Sequence, residues 1–367
     1  MNPLDLTIAW PFDDVDQWRD AALGNSDSPL YARNTPAEVV VAVEQALAQM
    51  EDTEAAVSFS SGMAAIFATL FAYLTPNTKV VALDCLYGGS FALLKHEFSA
   101  RGAQVSWIEG GNEAELLLKI EQGCDLVYLE SPSNPLLQQV DLQKVVAAAH
   151  ANGALVICDN TVATPYNQNP AHFGVDIVIH SATKFLSGHV DALAGVVCCS
   201  EIIATKLRAQ RELIGSLLAP QPAYLVLRGL ATFELRMARI GENAAQLAQF
   251  FAVHPAVSQC YYPGIQQTPK SESLHGSVGV VSIDLGSRER VGIFLENLAG
   301  IEFVSTLGST KTMVGLPETT SHVECTPAER TALGIPEGLV RVSLGIETYA
   351  LIEEAFSAAL TALVPSR

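Results

Sequence analysis

Apolar positions along the chain follow two rhythms, and the change between them divides the sequence. From about residue 55 to 200, short apolar runs at 55–59, 79–83, 105–108, 126–130, 155–159, 177–180 and 192–198 predict strands. Between them, 39–50, 63–74, 141–151 and a stretch from the Tyr87-Gly88-Gly89-Ser90 turn to about Arg101 predict helices. Short strands apolar on both faces and separated by helices predict a mostly parallel sheet covered on both sides. Residues 202–251 read as helical, broken at Pro220 and Pro222, with one long element over 223–251. After Tyr262-Pro263-Gly264 the rhythm changes. A half-buried strand over 278–285, a helix over 288–298, strands over 301–305 and 339–344 and a helix over 349–363 predict a smaller α+β unit. The polar 266–276 stretch reads as an exposed loop. Residues 1–35 hold Pro3, Pro11 and Pro29 and few periodic positions, so they read as an arm that packs through Trp10 and Trp18. The expected organisation is an arm over 1–36, a large domain over 37–235 and a C-terminal domain over 236–367.

Composition narrows the function. The 367 residues are 49% hydrophobic and 16% charged, which excludes a disordered or fibrous chain. Thirty-nine acidic against 21 basic residues give a net charge of -18. Such a surface repels nucleic acid and anionic membrane, so neither is an expected partner. The longest apolar stretch, 63–74, is about two-thirds of a membrane span. The N-terminal residues show neither a basic leader nor a continuous apolar run, so no secretory or transit peptide is expected. Seven cysteines, an odd number with no CxxC pair, predict reduced thiols and a cytoplasmic protein.

Candidate chemistry sits at the strand exits, where doubly wound sheets bind ligands. Lys184, in His180-Ser181-Ala182-Thr183-Lys184-Phe185-Leu186-Ser187-Gly188-His189, follows a buried strand. Desolvated there, its amine would have a lowered pKa and could form a Schiff base. Ser181 and Thr183 could hydrogen-bond a phosphate. Asp159, at the end of 155–159, could pair with a protonated pyridine nitrogen, as pyridoxal phosphate chemistry requires. Ser60-Ser61-Gly62-Met63 opens a helix, whose backbone N–H groups suit a phosphate. Tyr87 could stack on a ring. His180, His189 and His322 lack a ligand set, so no metal is expected, and they read as hydrogen-bonding or structural residues.

These segments, with YAR, ESPSNP, LRGL and LVRVSLGIE, resemble the Cys/Met-metabolism family of pyridoxal-phosphate enzymes, over roughly residues 31–367. That family includes cystathionine γ-synthases, cystathionine and methionine γ-lyases, cystathionine β-lyases and O-acyl-homoserine sulfhydrylases. The resemblance implies an α/β, fold-type I transferase-like architecture, with the cofactor on the 37–235 domain. It implies that Lys184 binds pyridoxal 5'-phosphate and then shuttles protons, and that Asp159 holds the pyridine nitrogen protonated. Gly62, Met63, Ser181 and Thr183 would bind the phosphate, with Thr161 also at the cofactor. Tyr87 would stack on the ring and assist catalysis. Glu130 and Asn134 would line the cofactor on the sheet side. Arg341 would clamp the substrate carboxylate, with Thr306, Asn134 and Tyr31 beside it. Tyr31 and Arg33 would reach the phosphate of a neighbouring subunit, in a homodimer or homotetramer.

Two departures bear on substrate identity. After Tyr31-Ala32-Arg33 the family's Asn-Pro-Thr is absent, and Pro36-Ala37-Glu38 stands there. Many cystathionine-handling members of the family carry a glutamate where Ser305 stands, which weakens the case for a distal-ammonium substrate. The loop 265–276 also looks short for the family. The resemblance thus implies γ-replacement or γ-elimination on a four-carbon L-amino acid with a leaving group at Cγ. A specialised pathway with an unusual leaving group, a cystathionine β-lyase and a non-catalytic cofactor-binding protein are the alternatives.

Overall fold

The first sheet contains all seven strands expected of it. In this computed structural model, which describes residues 4–265, 268, 270–323 and 325–364, they are β1 Ala55–Phe59, β2 Lys79–Leu83, β3 Gln104–Ile108, β4 Leu126–Glu130, β5 Leu155–Asp159, β6 Ile177–Ser181 and β7 Gly195–Cys199. Their spatial order is β1-β7-β6-β5-β4-β2-β3. The pairs from β6 through to β3 are parallel, and β7 runs antiparallel to both β6 and β1. Side chains on both faces of β4 and β7 are buried throughout, which is why the strands read as unbroken apolar runs. Helices Glu38–Glu51 and Gly62–Tyr73 cover the sheet near β1, β7 and β6.

The second sheet is built from β8 Gln259–Tyr261, β9 Val280–Asp284, β10 Glu302–Phe303, β11 Met313–Gly315 and β12 Leu339–Ser343, in the order β10-β11-β12-β9-β8. Only β10 and β11 pair in parallel. Helix Phe233–Val253 packs on β8 and β9, and helix Tyr349–Thr361 packs on it and on helix Arg288–Glu296. One apolar core runs through both units, from Val43 and Leu47 to Phe294 and Phe356. Among the described residues no helix is long and apolar enough to cross a membrane.

Several expected elements differ. The long helix over 223–251 is two helices, Pro220–Leu230 and Phe233–Val253. The break lets Arg236 turn its guanidinium onto the carbonyls of Phe185, Leu186 and Gly229, at 2.7, 3.1 and 2.8 Å. The helix after Tyr87 is regular only over Gly88–Ala92 and widens into a π-helical turn at Leu93–Phe98. The strand expected at 301–305 is two residues long. A helix at Glu113–Glu121, capped by Asn112, was not read from the pattern, nor were β8, β11 and the short helix Pro327–Ala332. The arm holds a helix, Val15–Leu23, with none of its residues buried, and Trp18 lies exposed on it. Of the 266–276 loop, Gln266, Gln267 and Pro269 lie outside the described residues, as do residues 1–3 of the arm.

Candidate active site

The exits of β4, β5 and β6 open onto a cavity of about 210 Å³, closed from the other side by the second unit. Lys184, Asp159, Tyr87, Gly62, Met63, Asn134, Thr161, Ser181, Thr183, Thr306 and Arg341 all line it, as does Glu130. Most of these residues follow the C-terminal ends of β1, β2, β4, β5 and β6, the last four of which are parallel and so send those ends to one edge, while Thr306 and Arg341 come from the second unit.

The lysine lies in the turn after β6. Its Nζ donates to Thr306 Oγ1 at 2.8 Å. Burial, with the Arg341 charge nearby, lowers its pKa to about 8. Gly308 makes this approach possible. It sits at φ +79°, and a Cβ there would lie 2.5 Å from the Phe185 nitrogen.

Two carboxylates face the cavity from adjacent strands, Glu130 and Asp159 being paired in register. Glu130 accepts from the backbone N–H groups of Tyr87 at 2.6 Å and Asn134 at 2.9 Å. Burial and the facing Asp159 push its pKa well up. Asp159 accepts from Thr161 N at 3.0 Å, and burial raises its pKa too, against the Thr161 hydrogen bonds. Neither carboxylate forms an ion pair among the described residues. A buried carboxylate in that state suits a protonated ring nitrogen, which would supply the missing cation. Thr161 links the end of β5 to β6, its Oγ1 accepting from Ser181 N at 2.8 Å.

The start of helix Gly62–Tyr73 faces Ser181. Ser61 caps it, accepting from Ala64 N at 3.1 Å. A Cβ on Gly62 would fall 2.8 Å from Ser181 Cβ, so only glycine lets helix and β6 approach this closely. The N–H groups of Gly62 and Met63 are among the unpaired first-turn donors of this helix, a setting that fits a phosphate. The Thr183 hydroxyl is engaged with the Ala194 backbone, donating to its oxygen at 3.2 Å and accepting from its nitrogen at 3.0 Å.

Arg341, on β12, is the contribution of the second sheet. It is buried, donating through Nη1 to Asn134 Oδ1 at 3.1 Å and through Nη2 to Thr306 O at 2.9 Å. Its Nε has no partner among the described residues, and no carboxylate pairs with it. Burial lowers its pKa to about 10. A buried guanidinium with a spare donor fits a ligand carboxylate. Ser321 also lines the cavity, its hydroxyl 3.0 Å from His322 Nδ1, and burial and Arg341 lower the His322 pKa to about 4.

Tyr31 and Arg33 do not line this cavity. They lie together on the arm, the Arg33 guanidinium 5.8 Å from the centre of the Tyr31 ring. Residues that pattern reading left out, Ile66, Val162 and Leu193, complete the wall. Leu193 falls inside the strand expected over 192–198, but β7 begins at Gly195 and leaves it exposed at the cavity.

Residues 1–361 match the family model described as Cys/Met metabolism PLP-dependent enzyme. The chain is 38% identical over 354 residues to an L-methionine γ-lyase of Fusobacterium nucleatum, covering 94% of this chain and 89% of that one. It is 37% identical over 342 residues to a cystathionine β-lyase of Bacillus subtilis, with coverages of 91% and 87%. A crystal structure of cystathionine γ-synthase from Xanthomonas oryzae pv. oryzae superposes with a TM-score of 0.92 at 31% identity, over 98% of this chain and 92% of that one.

Proposed function

This chain belongs to the Cys/Met-metabolism family of pyridoxal-phosphate-dependent enzymes, and we propose that it carries out γ-elimination on a four-carbon L-amino acid whose Cγ bears a neutral leaving group. A thioether such as that of methionine is the type. The observation that carries the reading is the makeup of the cavity wall. The second unit contributes Ser305, Thr306, Leu307, Thr320 and Ser321, all uncharged, beside Arg341. The only lining carboxylates among the described residues are Glu130 and Asp159, both on the sheet. A distal ammonium would therefore be desolvated without a partner on that wall. The similarity to methionine γ-lyases supports the same reading.

Pyridoxal phosphate, when bound, supplies an electron sink for the charge left at Cα. Lys184 Nζ would hold its aldehyde carbon, Asp159 its ring nitrogen, and Gly62, Met63, Ser181 and Thr183 its phosphate, with Tyr87 against the ring. Once the substrate amine takes the place of Lys184, the freed amine is the base for the Cα proton. Burial and the nearby Arg341 charge hold that amine below its ordinary pKa, which favours the unprotonated base. Arg341 holds the substrate carboxylate and so presents the Cα–H bond to Nζ. Lys184, steered by Thr306 Oγ1, then moves protons at Cβ and Cγ as the leaving group departs. With water, the products balance as the protonated leaving group, a 2-oxo acid and ammonia.

Tyr31 and Arg33 would complete the phosphate site of a neighbouring subunit in a homodimer or homotetramer. Their position outside the cavity of their own chain supports this. The cofactor unit would span 37–235 and the C-terminal domain 236–367, and the seven buried thiols suit a cytoplasmic protein.

A second reading, γ-replacement, is favoured by the likeness to the γ-synthase structure. A product assay separates the two. Methionine, cystathionine and O-acylated homoserines are offered with and without cysteine or sulfide. A 2-oxo acid and ammonia released without thiol, and barely diverted by it, support elimination. A thioether or homocysteine formed only with thiol replaces that reading with γ-replacement.

A further inference from the structure

Behind the cavity, on the far side of β6, two ionisable groups are buried together. Glu51, the last residue of helix Glu38–Glu51, and His180, on β6, both have no exposed surface. His180 Nε2 lies 2.6 Å from Glu51 Oε1. The same oxygen accepts from Asn160 Nδ2 at 2.8 Å. Asn160 directly follows Asp159. Its N–H donates to Ile179 O at 2.9 Å, and its Oδ1 accepts from Gln168 Nε2 at 3.1 Å. Gln168 in turn donates to Ser131 O at 2.6 Å and accepts from the Ser273 hydroxyl at 3.1 Å. Residues beside both cavity carboxylates, Asn160 after Asp159 and Ser131 after Glu130, thus belong to one buried network.

The network is costly in itself. Glu51 Oε2 and His180 Nδ1 have no hydrogen-bond partner among the described residues. Buried ionic pairs stabilise little compared with apolar side chains of the same volume, and unpaired buried atoms add a penalty. A second buried pair on the same helix, Glu44 with Arg211, meets β1 at Ser58; the mostly apolar side chains of β5, β6 and β7 give no packing reason for an acid and an imidazole at Glu51 and His180. Proximity to Asp159 does.

We propose that Glu51 and His180 are positioning residues for Asp159. Held together across the 2.6 Å contact, they fix Asn160 and the end of β5, and so aim the carboxylate that would hold the ring nitrogen. This rests on the cofactor reading above. The His180 charge also acts on Asp159 directly, opposing the effect of burial. The other titratable groups facing the pair are the Cys158 and Cys198 thiols, both pushed well up by burial and by nearby carboxylates.

The test compares wild type with Glu51→Gln, His180→Asn and Asn160→Ala. Circular dichroism and melting of the cofactor-free proteins establish folding. Pyridoxal phosphate affinity is then measured by titrating each cofactor-free protein, and the visible band of the bound form is followed against pH. The expected result is cofactor affinity lowered about tenfold, a displaced pH midpoint of the band, and a fall in kcat with KM little changed. Folded variants that melt earlier but bind pyridoxal phosphate with wild-type affinity and spectrum would overturn the proposal. Asn160→Ala keeps the acid–imidazole pair and removes the Asn160 link to Glu51 together with the two hydrogen bonds to Gln168, so it decides the matter if the charged variants fail to fold. A wild-type protein that takes up no pyridoxal phosphate is a different outcome, and it overturns the cofactor reading on which the proposal rests.

Discussion

Arg341 and Asn134 join the two sheets, Nη1 of the one donating to Oδ1 of the other at 3.1 Å inside the cavity. The arginine comes from β12 and the asparagine from the turn after β4, which Glu130 holds through the Asn134 N–H. The group suited to the substrate carboxylate is therefore set by how the second unit docks on the first.

Arg341→Lys keeps the charge and loses the fork. The expected result is a fall of about 10- to 100-fold in kcat/KM, carried mainly by KM. Cofactor content should stay at the wild-type level, since Arg341 is placed for substrate. Steady-state kinetics with cofactor quantitation check both statements.

Lys184→Ala should abolish turnover and leave the circular dichroism spectrum intact. The pH dependence of stability gives a second check. In the folded cofactor-free protein Lys184 is lowered from 10.5 to about 8. Between those values the unfolded chain binds more protons than the folded one, so stability rises with pH across that window. Below about 8 the folded state carries a buried ammonium at a cost. The buried thiols, raised in the folded state, pull the other way above about pH 9, so the rise is read as the difference between wild type and Lys184→Met when both cofactor-free proteins are melted between pH 7 and 10.5.

Ser305→Glu places an acid on the uncharged wall. Turnover of cystathionine should gain relative to methionine by about tenfold. An unchanged ratio in competition assays would count against the account of substrate choice given by that wall.

Gly62→Ala forces a methyl group against Ser181 Cβ, and the Ser181 Cα lies only 3.2 Å away. Overpacking of this kind costs about 1–3 kcal/mol. Denaturant unfolding should report it, with a weaker affinity for pyridoxal phosphate. Adding Ser181→Gly should recover stability but not the affinity.

All seven cysteines are buried thiols, none of them in a disulfide. Burial pushes the Cys85, Cys199 and Cys260 thiols up to about 12. The native protein should therefore react slowly with an alkylating reagent at pH 8, and fully once unfolded, as mass spectrometry would show.

Lys184 and Asp159 were legible in the sequence because apolar runs mark the strands and parallel strands deliver their ends to one edge. Arg341 and Thr306 were legible only through family resemblance, since no periodicity relates β12 to β5. The break at 231–232 was hidden, because neither residue is a helix breaker and the cause lies in Arg236 reaching the carbonyls after Lys184. β8 and β11, three residues each, are too short to show a period. Glu51 escaped notice because acids on helices usually face solvent. Yet Glu44 and Glu51 stand seven apart, two turns along one helix, on the face that carries Val40, Val43 and Leu47. Both are buried there, Glu44 against Arg211 and Glu51 against His180.

The reversal of β7 has its own consequence. A parallel strand after β6 would have required the chain to leave the ligand edge and cross a face of the sheet before returning. Because β7 is antiparallel, residues 182–194 begin and end at that edge, and Lys184 and Leu193 lie near the two ends of the excursion. Lengthening or shortening its middle alters the mouth of the cavity while the strand ladder on either side keeps its register. Inheritable variation can accumulate at the exposed residues 189–191, while 185–188 are buried and held by Arg236, which makes the tip of this excursion a natural place for one scaffold to diverge toward new substrates.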